Sequence, residues 1–136
     1  DWCVVRQGVL SILFQDLKLF GELTALENVE IKNRLTKAQP TRIIKSWFEE
    51  LGIADKLKTR ADRMSYGQQQ RVALIRALCQ PFNFLLLDEP ISHLDDRNSN
   101  VMRDIILREI QRQGACLITT SIGKHMDIEY DKQLSL

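Results

Sequence analysis

An α/β fold with a parallel sheet is the architecture this 136-residue sequence predicts, and three observations predict it. Short apolar runs at Val9 to Phe14, Phe84 to Leu87 and Cys116 to Thr120 have the length and branching of buried strands. Between them, apolar residues recur every three or four positions, as on one face of a helix. The last two runs flank such a helix, and strand, helix, strand in that order suggests a right-handed parallel crossover. Composition agrees: 44% hydrophobic and 27% charged residues supply a globular core and exclude disorder as the dominant state.

The first run, Val9 to Phe14, ends at Gln15-Asp16. Gly21 is a turn candidate, and Thr24 to Val29 predicts a short helix. Thr24 three residues before Glu27 fits a capping box, in which each side chain satisfies the other's free backbone N–H. A firmer helix begins near Pro40, which suits a first helical turn. Ile43, Ile44, Trp47, Phe48 and Leu51 give its apolar face, and Gly52 a natural stop. Ile53 to Met64 is irregular and locally basic through Lys56, Lys58, Arg60 and Arg63, a solvated loop or helix face. Ser65, with Gln68 three residues on, caps the next helix. Its buried stripe is Val72, Ile75, Leu78 and Cys79, and Pro81 follows its end. Phe84 to Leu87 reads as a strand buried on both faces. A helix from about Asn98 to Gln113 turns Val101, Ile105 and Ile110 inward and stops at Gly114. Cys116 to Thr120 reads as another buried strand, and Gln133 to Leu136 as an edge strand.

Charge and cysteine content narrow the function classes. Lys+Arg is 19 against Asp+Glu 18, a net +1, so nothing global draws the chain to nucleic acid or an anionic membrane. Cys3, Cys79 and Cys116 are far apart and in no metal-ligand spacing, and read as reduced thiols of a cytosolic protein. No apolar run approaches the roughly 20 residues a membrane span needs. The N-terminus lacks a signal-peptide layout. It opens on Asp1 without a starting Met, as if cut from a longer chain.

Two segments carry chemistry. Phe84 to Leu87 leads into the adjacent carboxylates Asp88 and Glu89, then Pro90. Taken alone, this is either a strand running into an acidic turn or a site. Successive strand side chains point to opposite sides, so one carboxylate can hold a hydrated Mg²⁺ while the other polarises water. Phosphoryl transfer needs that division of labour. The second segment, Met64 to Arg71, joins a Ser cap, a glycine and a helix start. It is either a capped helix with an incidental Gly or an anion site, since free N–H groups and the helix dipole favour phosphate there.

Taken together and in order, Phe14-Gln15, Ser65-Tyr66-Gly67-Gln68, Asp88-Glu89 and Ser92-His93-Leu94-Asp95 resemble the nucleotide-binding domain of ABC ATPases. Arg71 to Leu78, and Thr24 to Val29, are also similar to segments of that family. The resemblance runs from the Q-loop strand almost to the final sheet strand. It implies an α/β, P-loop NTPase (RecA-like) core with a helical subdomain. Residues 1–15 and 79–136 would form the core portion, and residues 16–78 the helical subdomain with the signature motif. ATP and Mg²⁺ are the implied cofactors. Gln15 corresponds to the Q-loop glutamine, touching Mg²⁺ and the attacking water. Ser65, Gly67 and Gln68 correspond to signature residues that cap the nucleotide of an opposing subunit. Asp88 corresponds to the metal-binding Walker B aspartate, Glu89 to the catalytic base and Asp95 to the D-loop aspartate. The implied activity is ATP hydrolysis by a head-to-tail dimer. Such a dimer energises a transmembrane transporter subunit from the cytoplasmic face of the membrane, with no nucleic acid involved.

The chain departs from the family pattern in five places, the mildest being Met64 for the usual Leu, a volume-conserving change. No G-x-x-x-x-G-K-[ST] is present, and the single Gly-Lys, Gly123-Lys124, precedes His125. In the family the P-loop lies upstream of the Q-loop strand, so the chain reads as starting after it and as inactive alone. Tyr66 replaces a glycine, and either crowds a phosphate or points away. His93 stands where a small residue is common. Ser121 occupies the place of an imidazole that contacts the terminal phosphate, and its hydroxyl carries no positive charge. His125, beyond a turn at Gly123, is a candidate substitute, and slow hydrolysis is expected. A non-catalytic interaction module is the alternative reading. A soluble ABC ATPase of translation or DNA maintenance ranks behind it. Open sheet edges in a truncated core predict self-association.

Overall fold

The computed structural model describes residues 1–136, apart from the side chain of Gln7. Helix α1 (Trp2–Gly8) leads into strand β1 (Leu10–Leu13). Helices α2 (Ala25–Thr36), α3 (Thr41–Glu50) and α4 (Tyr66–Ala77) follow, with two single 3₁₀ turns, Ala54–Lys56 and Ala61–Arg63, before α4. Strand β2 (Phe84–Asp88), helix α5 (Asp96–Gln113) and strand β3 (Cys116–Thr120) complete the order. The three strands are parallel in the order β1-β2-β3. Leu10 stands opposite Phe84 and Leu13 opposite Leu87; Phe84 stands opposite Cys116 and Asp88 opposite Thr120. The α/β class and parallel sheet expected from the sequence are therefore present.

The capping chemistry forms as expected. Thr24 Oγ1 accepts from the Glu27 N–H at 3.1 Å while Glu27 Oε1 accepts from the Thr24 N–H at 3.0 Å. The helix that follows extends to Thr36, longer than predicted. Pro40 is the residue before α3 rather than part of its first turn. Gly52 and Gly114 take φ of 70° and 61°, the left-handed geometry that ends a helix at little steric cost. Asn28, buried at the start of α2, ties the preceding turn by accepting from the Phe20 N–H and donating to the Phe20, Leu23 and Thr24 carbonyls.

One face of the sheet carries the core. Leu13, Leu85 and Leu87 are fully buried, in one apolar cluster with Val72, Leu74, Ile75 and Leu78 of the α4 region and Met102, Ile105 and Ile106 of α5. Ser11 shares this buried face and spends its hydroxyl on the Ala77 carbonyl at 2.6 Å. The opposite face is open, which corrects two expectations. In β2, Phe84 is 45% exposed and Leu86 half-buried, so the strand is buried on one face only. In β3, Cys116, Ile118 and Thr120 are exposed, with Ile118 at 47%. β3 is an edge strand, and among the described residues nothing pairs with its outer side. Two-sided burial needs a layer on each face. Gln133 to Leu136 form no strand, and Leu134 is 90% exposed. Among the described residues no helix is long and apolar enough to cross a membrane.

Candidate nucleotide site

The C-terminal ends of β2 and β3 bring the acidic pair beside Thr120 and Ser121. Thr120 Oγ1 donates to Asp88 Oδ1 at 2.5 Å. The Glu89 N–H donates to the Thr120 carbonyl at 2.9 Å. Glu89 stands at φ 50°, a left-handed conformation that costs a non-glycine residue about 1–2 kcal/mol. Such strain persists where surroundings over-determine it. Here Thr120 holds the N–H, and Gln70 donates to the Glu89 carbonyl at 3.2 Å.

Gln70 organises the loop that follows. It is 1% exposed and fully used: Nε2 also donates to Ser92 Oγ at 2.9 Å, and Oε1 accepts from the His93 N–H at 3.2 Å. One turn earlier on α4, Gly67 is buried, and a Cβ built there would lie 2.6 Å from the His93 carbonyl oxygen. The close approach that requires glycine at this position is thus to the 89–95 loop. Gly67 stands out in the sequence as a signature residue, whereas Gln70 carries no such mark. The detectable signal was their i, i+3 spacing, which places both on one helix face.

The helix start is the second candidate segment. Ser65 caps α4, with Oγ accepting from the Gln68 N–H at 3.2 Å and its N–H donating to Gln68 Oε1 at 3.0 Å. Among the described residues, the Tyr66 and Gly67 N–H groups have no partner, as first-turn donors commonly do not. Tyr66 points away from the cap. Its hydroxyl donates to the Gln15 carbonyl, and its ring lies 4.4 Å from the His93 ring at 60°. Burial, then the charges of Asp16 and Asp88, raise the Tyr66 phenol above its ordinary value, so it stays a donor at neutral pH. Gln15 itself is exposed just after β1. Asp95 caps α5, accepting from the Asn98 N–H at 2.8 Å.

Ser121 and His125 form a pair: the hydroxyl lies 2.6 Å from Nδ1. Gly123, at φ 85°, turns the chain back between them. Lys124 donates to the Leu94 carbonyl and lies 3.8 Å from Asp96 Oδ1, fastening this loop to the one that carries Asp95.

The donor set fits part of an Mg²⁺–nucleotide complex. No cluster of three His, Cys, Asp or Glu side chains exists among the described residues, so no all-protein metal cage forms. Asp88, half-buried with one oxygen taken by Thr120, suits a hydrated Mg²⁺ that keeps most of its waters. The unpartnered N–H groups at the start of α4 suit an anion. The 136 residues contain no Gly-rich phosphate cradle.

Comparison with known proteins finds relatives of one kind. The family model described as ABC transporter matches residues 2–92. The chain is 38% identical over 122 residues to the phosphonates import ATP-binding protein PhnC 1 of Synechococcus, covering 81% of this chain and 46% of that protein. It is 36% identical over 137 residues to the thiamine import ATP-binding protein ThiQ of Haemophilus ducreyi, covering 97% and 64%. Among solved structures, the dimeric post-hydrolysis state of the ATP-binding cassette MJ0796 bound to ADP and Pi superposes with a TM-score of 0.68 at 26% identity. That match covers 85% of this chain and 53% of that one. The chain spans about half the length of the curated relatives it matches.

Proposed function

This chain belongs to the ABC transporter family, and on that premise we propose that it is part of an ATP-hydrolysing subunit that drives a membrane transporter. The observation that carries the reading is the arrangement at the strand ends. Asp88 and Glu89 close one strand beside Thr120 and Ser121 of the next, and Gln70 ties that loop to the helix that Ser65 opens. Residues 1–15 and 79–136 are assigned to the nucleotide-binding core, and residues 16–78 to a helical subdomain.

When bound, Mg²⁺ would supply neutralisation of phosphate oxygens. Asp88 is placed to hold water of its shell, with Thr120 orienting the carboxylate. Glu89, fixed in its left-handed turn, accepts a proton from attacking water, a general-base role. Gln15, exposed just after β1, is assigned to the same water. Ser65, Gly67 and Gln68 present the capped helix start to the nucleotide of a second cassette, and Asp95 lies at that seam. The Ser121–His125 pair supplies a hydroxyl and an imidazole toward the terminal phosphate. On this account two cassettes close head to tail, each completing the other's site. Without a phosphate cradle among its 136 residues, the chain alone turns over no ATP.

A transmembrane subunit is the second proposed partner, which places the protein on the cytoplasmic face of a membrane. A groove of about 660 Å³ supports this. Phe14, Phe20 and Ile31 line it, with Lys18, Lys32 and Arg76. Burial, then the like charge of Arg76, lowers the Lys32 ammonium below its ordinary value, and among the described residues no carboxylate pairs with it. A groove of this character fits an apolar protein segment carrying an acidic side chain. Ser121 also supports a second reading, a non-catalytic interaction module. ATP turnover by the full-length protein, measured beside Glu89→Gln, separates the two. Turnover that Glu89→Gln abolishes supports the enzyme, and no turnover in either supports the module.

A further inference from the structure

The turn after β1 is strained and is held from one helix. Leu17 and Lys18 stand at φ 62° and 55°, left-handed without being glycine. Two such residues in succession persist only when neighbours over-determine them. The turn's own bonds are short-range: the Leu17 N–H donates to the Phe14 carbonyl at 3.0 Å and the Lys18 N–H to the Asp16 carbonyl at 2.7 Å. Leu17 is also buried in the core, and Lys18 pairs with Asp16 at 2.7 Å; further hydrogen bonds come from the two ends of α4. Near its C-terminus, Arg76 donates to the Leu17 and Lys18 carbonyls at 2.5 and 2.7 Å. At its first residue, the Tyr66 hydroxyl donates to the Gln15 carbonyl.

Tyr66 also reaches a second loop. Its ring packs at a tilt against His93, whose N–H is held by Gln70, whose carbonyl lies close to Gly67 and whose Nδ1 lies 2.9 Å from Ser92 Oγ. One side chain therefore touches both the turn that presents Gln15 and the loop that presents Glu89 and Asp95. Tyr66 is 36% exposed and follows Ser65 directly, so it is the contact within reach of anything that meets the helix start.

We propose that Tyr66 is a positioning residue: its hydroxyl fixes Gln15 on the strained turn, and its ring passes any displacement of the helix start to the Glu89–Asp95 loop. What Gln15 and Glu89 then do rests on the ATPase reading; the tether itself does not.

The test begins without nucleotide. Tyr66→Phe keeps the ring and removes the bond to Gln15. The Leu17 and Lys18 amides should then exchange roughly tenfold faster, the factor carried by about 1.4 kcal/mol, with exchange over 89–95 unchanged. Tyr66→Ala should also speed exchange at the His93 amide and shift the His93 ring resonances. In the full-length protein, Tyr66→Phe should lower kcat for ATP several-fold at unchanged KM. Leu17 and Lys18 amides that exchange as in the wild type overturn the proposal, whatever the nucleotide result. Faster exchange with unchanged kcat overturns the positioning role. Faster exchange in a protein whose wild type turns over no ATP upholds the tether and refutes the ATPase reading instead.

Discussion

Replacing Gly67 by alanine sets two effects of opposite sign against each other. Alanine is the better helix former by about 0.8–1 kcal/mol in a helix interior, and by less in the first turn of α4. Against that, the added methyl would lie 2.6 Å from the His93 carbonyl oxygen and 3.4 Å from Leu94 Cδ2. The nearer atom belongs to backbone and cannot rotate away. Either α4 or the 89–95 loop must move, and overpacking of this kind costs about 1–3 kcal/mol. Gln70 resists the movement, because it bonds the same loop at Glu89, Ser92 and His93. The steric cost wins, and Gly67→Ala should lose about 1–2 kcal/mol. Urea unfolding reads this as a lower midpoint at unchanged m. Alanine at position 67 that matches or exceeds wild-type stability would refute the close approach, and with it the placement of the 89–95 loop on α4.

Three further outcomes follow from the same contacts. Gln70→Leu takes the side-chain partner from the Glu89 carbonyl and the His93 N–H, while exposed Ser92 keeps His93 Nδ1, and should cost about 1–3 kcal/mol in denaturant unfolding; a loss below about 0.5 kcal/mol would deny its organising role. Thr24→Ala and Ser65→Ala each remove a side-chain cap worth about 1 kcal/mol. The two should destabilise alike, yet only Ser65→Ala should abolish ATP turnover by the full-length protein. Burial pushes the Cys79 thiol from 9.0 up to about 12. The unfolded thiol ionises first as pH rises, so stability is intact below about 9 and falls between 9 and about 12, by at most about 1.4 kcal/mol per pH unit. Cys79→Ala should flatten that part of the pH profile.

The sequence revealed what local chemistry decides. The capping pairs Thr24–Glu27 and Ser65–Gln68 span three residues, so their geometry is written in the spacing, and both form. Gly52 and Gly114 stop helices for a reason internal to glycine. Phe84 to Asp88 announced a strand ending in carboxylates, and the strand ends there. What depended on neighbours was not legible. Cys116 to Thr120 has the composition of a central strand, yet its exposure is set by the open face of the sheet and its place at the edge. Gln70 sits in a run of three glutamines, and only the loop folded against α4 shows that one of them is buried and fully bonded. Tyr66 and His93 stood out as departures from a family pattern, and the contact between their rings spans 27 positions of sequence. Glu89's left-handed turn follows from Thr120 and Gln70, neither of them local to it.

On the ATPase reading, Glu89 and the Ser65 helix start converge on one triphosphate across two cassettes. Sedimentation velocity of full-length Glu89→Gln, with and without MgATP, tests it directly, with Ser65→Ala added in a second variant. The account predicts an ATP-dependent dimer that turns over at least 10²-fold slower than wild type, and a monomer once Ser65 is also replaced. Glu89→Gln that stays monomeric in ATP, or a dimer indifferent to Ser65, would contradict it.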